Sequence, residues 1–203
     1  MHLDFATLKR PEAYAWMTTT ILPRPIAWVA TLSSESKTNL APFSFFQAIT
    51  ANPPTLMFVP VNQRDGSPKD TLRNIEATRE FVVNVVPHAL AESMNACAAL
   101  LPHGESEFEA FGIAAAPSTH VRPPRVAASP VAFECTLHSI VHIGEGAGAA
   151  NVVFGRILGM HVDDQVIGID GLPDAAKLDL VGRLGREDYA RTSERFTIKR
   201  PDR

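Results

Sequence analysis

Cysteine is scarce in this chain. Cys97 and Cys135 are the only two among 203 residues, they share no CxxC spacing, and each lies in a different apolar stretch. Motifs built on that spacing are excluded, and two buried free thiols in a reducing, cytoplasmic setting are expected. Excess basic charge is lacking too: 19 Lys and Arg face 22 Asp and Glu, for a formal net charge of −3. With no dense basic cluster anywhere, nucleic acid is not expected as a partner. No stretch of 18 apolar residues is present, and Met1 to Phe5 do not read as a charged leader before an apolar run. Neither a membrane span nor a signal peptide is therefore expected. Internal repeats, low-complexity tracts and the GxSxG elbow of many hydrolases are missing as well.

What is present reads as one domain over residues 1–203, with 45% apolar and 20% charged residues, ordinary values for a globular chain. Residues 25–32 (PIAWVATL), 39–50 (NLAPFSFFQAIT), 55–61 (TLMFVPV) and 80–86 (EFVVNVV) have strand character. Pro42 makes the second of these an edge or a bulge. Residues 131–143 and 151–162 flank a glycine-rich turn and predict a long hairpin. Helices are predicted over 69–79, where Leu72 and Ile75 lie one turn apart, over the Ala- and Leu-rich 88–101, and over a short part of 174–183. Residues 102–130 are loop-rich, punctuated by proline. The fold class is mainly β with helical inserts, an antiparallel barrel or sandwich rather than a βαβ array.

Three constellations bear on chemistry. In Ser67-Pro68-Lys69-Asp70-Thr71, Ser67 suits a helix N-cap, Pro68 the first helical position and Asp70 the third. A helix start offers unpaired N–H groups and partial positive charge, and Lys69, Ser67 and Thr71 add donors suited to a phosphate. Taken alone, the segment reads more readily as a capped surface helix, because such caps are routine, and the phosphate reading needs a second line of support. The second, Gly144, Gly146 and Ala149, matches a GxGxxA pattern, but a strand-like run follows where a dinucleotide fingerprint needs a helix, so a hairpin turn is expected. The third, Glu134, His138 and His142, recurs every four residues in a β-like run, where ~3.3 Å per residue separates such neighbours by about 13 Å. One ion is out of their joint reach and no metal is expected, though that face can line a pocket. At least two of Phe43, Phe45 and Phe46 read as core, while Asn39, Ser44 and Gln47 interrupt them with the few polar groups that orient a planar heteroaromatic ligand.

Taken together, residues 23–31 (PRPIAWVAT), 39–46 (NLAPFSFF) with Asn52-Pro53-Pro54, 69–75 (KDTLRNI) with 81–84 (FVVN), and 183–189 (RLGREDY) resemble the flavin reductase-like family. The resemblance runs from about residue 14 to residue 189. It implies an FMN-binding split β-barrel, an antiparallel Greek-key-type barrel, with non-covalent FMN at the interface of a homodimer. It implies FMN phosphate contacts from Ser67, Lys69 and Thr71, and ring-side contacts from Asn39, Phe43, Ser44, Phe45 and Gln47. Arg24, Arg183 and Tyr189 are carried over as cofactor or dimer contacts, with structural roles equally open. Several reductases of the wider family have a histidine where this chain has Asn151, and Asn151 and His142 are placed on the nicotinamide or substrate side. The implied activity is an NAD(P)H-dependent flavin reductase passing hydride to FMN N5, with no catalytic side chain required and a monooxygenase or another redox protein as partner. A flavoredoxin-like electron carrier and a non-catalytic flavin-binding module are the alternatives.

Overall fold

The computed structural model describes residues 1–201. The chain begins with helix α1 (Arg10–Thr20), followed by strands β1 (Arg24–Pro25), β2 (Ala27–Leu32), β3 (Thr38–Phe43), β4 (Phe46–Ala51) and β5 (Pro54–Phe58). Helix α2 (Asp70–Thr78) leads into β6 (Glu80–Asn84), and α3 (Ala91–Ala96) and α4 (Glu107–Ala110) follow. The short β7 (Ala115–Ala116) and β8 (Arg125–Val126) precede the long hairpin of β9 (Val131–Ile143) and β10 (Ala150–Val162). Helix α5 (Ala175–Leu178), β11 (Val181–Arg183) and β12 (Tyr189–Arg191) complete the elements.

Seven strands form one antiparallel sheet in the order β3-β2-β6-β9-β10-β5-β4. Its two edge strands are consecutive in the chain and joined by only Ser44 and Phe45. A sheet whose outer strands are linked by two residues has to curl until those edges meet, which is the geometry of a barrel split along one seam. This explains why residues 39–50 do not form one strand: the first half pairs with β2 and the second with β5, at opposite ends of the sheet. Pro42 falls on edge strand β3, where its missing N–H breaks no interior ladder.

Alternation along the central strands feeds two cores. Val29, Phe81, Val83, Phe58 and Val153 fill the concave side with Leu72 and Ile75 of α2. Trp28, Ala30 and Val82 point the other way, against Met94, Cys97, Phe108 and Val181. Gly155 sits at a register shift, and a Cβ there would lie 2.3 Å from the Phe81 ring, so only glycine lets that ring fill the barrel.

Several predicted boundaries change. The helix expected over 88–101 is a 3-10 turn, His88–Leu90, and then α3, which stops before Cys97. Within 174–183 only α5 is helical; Asp179 leaves it with φ 42°, and β11 then pairs with β1. The loop-rich 102–130 holds α4 and the β7–β8 pair. Helix α1 had no sequence signal, because among its residues only Thr18 is buried and no apolar stripe marks a face.

Candidate functional site

Helix α2 starts at Asp70, with Lys69 as its N-cap residue and no side-chain cap. The expected cap at Ser67 is therefore corrected. The reason is local: the Ser67 hydroxyl donates to Asp65 Oδ1 at 2.7 Å and accepts from Gln63 Nε2 at 3.2 Å, which folds residues 63–67 into their own turn. Hydrogen bonds from the Ser67 side chain and N–H hold the Asp65 carboxyl below its ordinary pKa. The first turn of α2, where the Asp70 and Thr71 N–H groups precede the first helical hydrogen bonds, from Leu72 and Arg73 N–H to Lys69 O, borders a cavity of about 340 Å³. Asn39, Ser67, Lys69, Thr71 and Arg73 are among its walls.

Two of those walls are wired together. Asn39 Nδ2 donates to Thr71 Oγ1 at 3.0 Å and to Thr31 Oγ1 at 3.3 Å, and Asn74 Nδ2 donates to the same Thr31 oxygen at 3.0 Å. Thr71 is nearly inaccessible, and its oxygen accepts from Asn39, so its hydroxyl hydrogen is free for another acceptor. Lys69 and Arg73, four residues apart, add positive charge on the same side of α2. The set of an ordered hydroxyl, two cations and a helix start is suited to an anion, on walls that also carry the carboxylates of Asp65, Asp70 and Glu107.

The opposite wall comes from far along the chain. Residues 97–101, after α3, close over the cavity and lead to His103, whose Nδ1 lies 2.7 Å from Asp70 Oδ1. Glu107 of α4 lines the site from below, buried, with its carboxylate accepting the Leu40 N–H at 2.7 Å. Burial pushes the Glu107 carboxyl upward, against the pull of that N–H. Burial likewise pushes the Cys97 thiol up to about 12, so it sits there as an inert thiol rather than a nucleophile.

The residues expected to meet one ligand are not all at this cavity. Asn39, Ser67, Lys69 and Thr71 converge there. Phe43 is a core residue, its ring 5.2 Å from that of Phe58. Ser44 and Phe45 form the link at the barrel seam, Phe45 facing Tyr14 of α1 at 6.4 Å, and Gln47 is exposed on β4. Arg24 is buried and donates to the carbonyls of Thr18, Ile21 and Leu184, tying α1 to the C-terminal segment. Arg183 lies 4.5 Å over the Tyr189 ring, and the Tyr189 hydroxyl donates to Asn95. Asn151 and His142 are cross-strand partners, with His142 Nδ1 2.8 Å from Asn151 Oδ1. The Asn151 amide is buried and donates to Pro60 O and Asn62 Oδ1. Glu134 accepts the N–H groups of Thr119 and His120, and among the described residues no three His, Cys, Asp or Glu side chains converge on a metal position.

Arg73, His103, Asp70 and Glu107 were not singled out as site residues. Arg73 had a legible signal, four residues after Lys69 on a predicted helix, and Asp70 was read only as part of that helix start; His103 and Glu107 reach the site from a distant loop and from α4 and carried none.

A model of the flavin reductase like domain matches residues 17–169. Among solved structures, nitrilotriacetate monooxygenase component B from Bacillus cereus is similar at 30% identity and TM-score 0.92, covering 98% of each chain. The 2-nitrobenzoate 2-nitroreductase NbaA of Pseudomonas fluorescens is similar at 33% identity and TM-score 0.87, covering 99% of this chain and 96% of that one. A split-barrel protein from Shewanella frigidimarina, at 24% identity and TM-score 0.83 over all of both chains, shares the fold.

Proposed function

The chain belongs to the flavin reductase-like family, and from that premise we propose that it is an FMN-dependent oxidoreductase that draws its electrons from NADH or NADPH. The observation that carries the cofactor reading is the cavity at the start of α2, where Lys69, Arg73, the free hydroxyl hydrogen of Thr71 and first-turn N–H groups face one volume. That donor set fits a phosphomonoester dianion, the terminal group of FMN. FMN, when bound, supplies the hydride and electron chemistry at its ring. The chain's own part is to hold the phosphate, to set the ring against the Ser44–Phe45 link, and to keep water away with the apolar seam around it. No acid or base is required of a side chain, and the buried, proton-retaining Cys97 offers none.

A homodimer belongs to the same proposal. The isolated chain exposes 12400 Å², whereas about 9,300 Å² is typical of a compact monomer of this mass. Tyr14, Trp16 and Met17 of α1 and Ile49, Val141, Ile143 and Met160 of β4, β9 and β10 are all more than a third exposed. Surface of that kind marks an interface. Component B of a monooxygenase is among the similar proteins, and a monooxygenase taking up the reduced flavin is the partner that fits this reading.

The test is anaerobic mixing of FMN-loaded protein with NADH and with NADPH, following the visible flavin absorbance. Rapid bleaching by one nucleotide is expected. No bleaching by either, with full reduction by dithionite, replaces the reductase by an electron carrier fed from another protein.

A further inference from the structure

The cleft does not end at the phosphate-side cavity. A second cavity, of about 460 Å³, lies against the first and shares Asn39, Asp70, Arg73 and His103 as walls. Its remaining walls come from the turn between β2 and β3, which supplies both Lys37 and Glu35, from Thr38, from Asn74 and Ala77 of α2, and from Gly104 and Glu105. The two volumes meet at these shared side chains, two of which, Asp70 and His103, are in contact. His103 Nδ1 lies 2.7 Å from Asp70 Oδ1, and the Gly104 N–H donates to Asp70 Oδ2 at 3.4 Å. The residues are 33 positions apart, so the contact pins the loop after α3 onto the first residue of α2. Arg73 lies 3.8 Å from this carboxylate, and the buried Glu107 is close enough to feel its charge.

We propose that the Asp70–His103 pair is a length selector that admits a flavin ending in a phosphomonoester and rejects one continuing through a pyrophosphate. The inference rests on the flavin reading above. In that reading the FMN phosphate stays within the first cavity, of which the pair forms one wall. FAD would have to carry its second phosphate and adenosine past that wall into the second cavity, close to the Asp70 carboxylate. That route breaks the His–Asp contact and brings like charges within a few ångströms of one another, where repulsion is strong. Room is not what excludes FAD, because the second cavity is larger than the first and carries Lys37 and Arg73 on its walls. Selection by a repulsive element in front of a usable volume is a common route to specificity.

The experiment is a fluorescence titration of the full-length, flavin-free protein with FMN and with FAD, for wild type, His103→Ala and Asp70→Asn. The His103 side chain is 70% exposed, so its truncation leaves the packed structure alone, and Asp70→Asn keeps the shape while removing the charge. Wild type is expected to bind FMN at least about tenfold more tightly than FAD, and Asp70→Asn to bring that ratio down by about tenfold through better FAD binding; His103→Ala, which opens the contact but keeps the carboxylate, brings it down less. If the contact only clamps the loop, both flavins lose affinity together and the ratio stays put, which overturns the proposal. Equal binding of the two flavins by wild type overturns it as well, while leaving the flavin site intact. Binding of neither flavin by wild type refutes the flavin reading itself, and the selector with it.

Discussion

At the scale of single residues, the proposed anion site is built from an ordered hydroxyl and a free charge. Asn39 occupies an acceptor position on Thr71 Oγ1 and so leaves the threonine with a proton to give. Lys69 caps α2 without using its side chain there. Replacing both, Lys69→Ala with Thr71→Ala, removes two charge-assisted hydrogen bonds to a phosphate, about 3 kcal/mol in all, and FMN affinity is expected to fall on the order of 100-fold. Fluorescence quenching measures it; unchanged affinity moves the phosphate elsewhere. Glu107 offers a pH signature. Its folded-state pKa is raised by burial above the ordinary 4.5, so its contribution to stability is full below that value and is lost as pH rises through the folded pKa. Glu107→Gln keeps an acceptor for the Leu40 N–H and abolishes the titration. Its melting temperature is therefore expected to gain on that of wild type as pH climbs above about 4.5, and a pH-independent difference contradicts the assignment.

At the scale of elements, the split barrel depends on close approach between β6 and β10. The Phe81 ring lies over Gly155 where the β9–β10 register shifts. Gly155→Ala drives a methyl into that ring and is expected to cost about 1–3 kcal/mol, read as a drop in denaturation midpoint. The elements also show how far local pattern reaches. Strand β9 was read over its full length, and β10 to within one residue, because alternation and a glycine turn are local properties. Residues 39–50 looked like a single strand because nothing local shows that the sheet curls and hands the two halves to opposite edges. Helix α1 was illegible for a related reason: its apolar residues face outward, so they make no core stripe.

At the scale of the whole molecule, the excess surface and the exposed side chains of α1, β4, β9 and β10 belong with the proposed dimer. Ile49→Lys with Ile143→Lys places charge on that surface and is expected to shift sedimentation from dimer to monomer, with FMN affinity falling in parallel. A double variant that stays dimeric puts the interface on another face. The site itself spans this scale, because its near wall is one helix start and its far wall arrives from residues 97–107.

By itself the sequence determined the antiparallel β character, the long hairpin and the position of α2 within a residue. Each follows from short-range rules of period, turn chemistry and helix ends. Only the tertiary structure decided that Ser67 serves its own turn, that Arg24 and Asn151 spend their donors on backbone carbonyls and neighbouring side chains, and that His103 and Glu107 close the cavity. Those contacts join residues dozens of positions apart, and they exist because curling the sheet brings its edges, and the loops they carry, into one place.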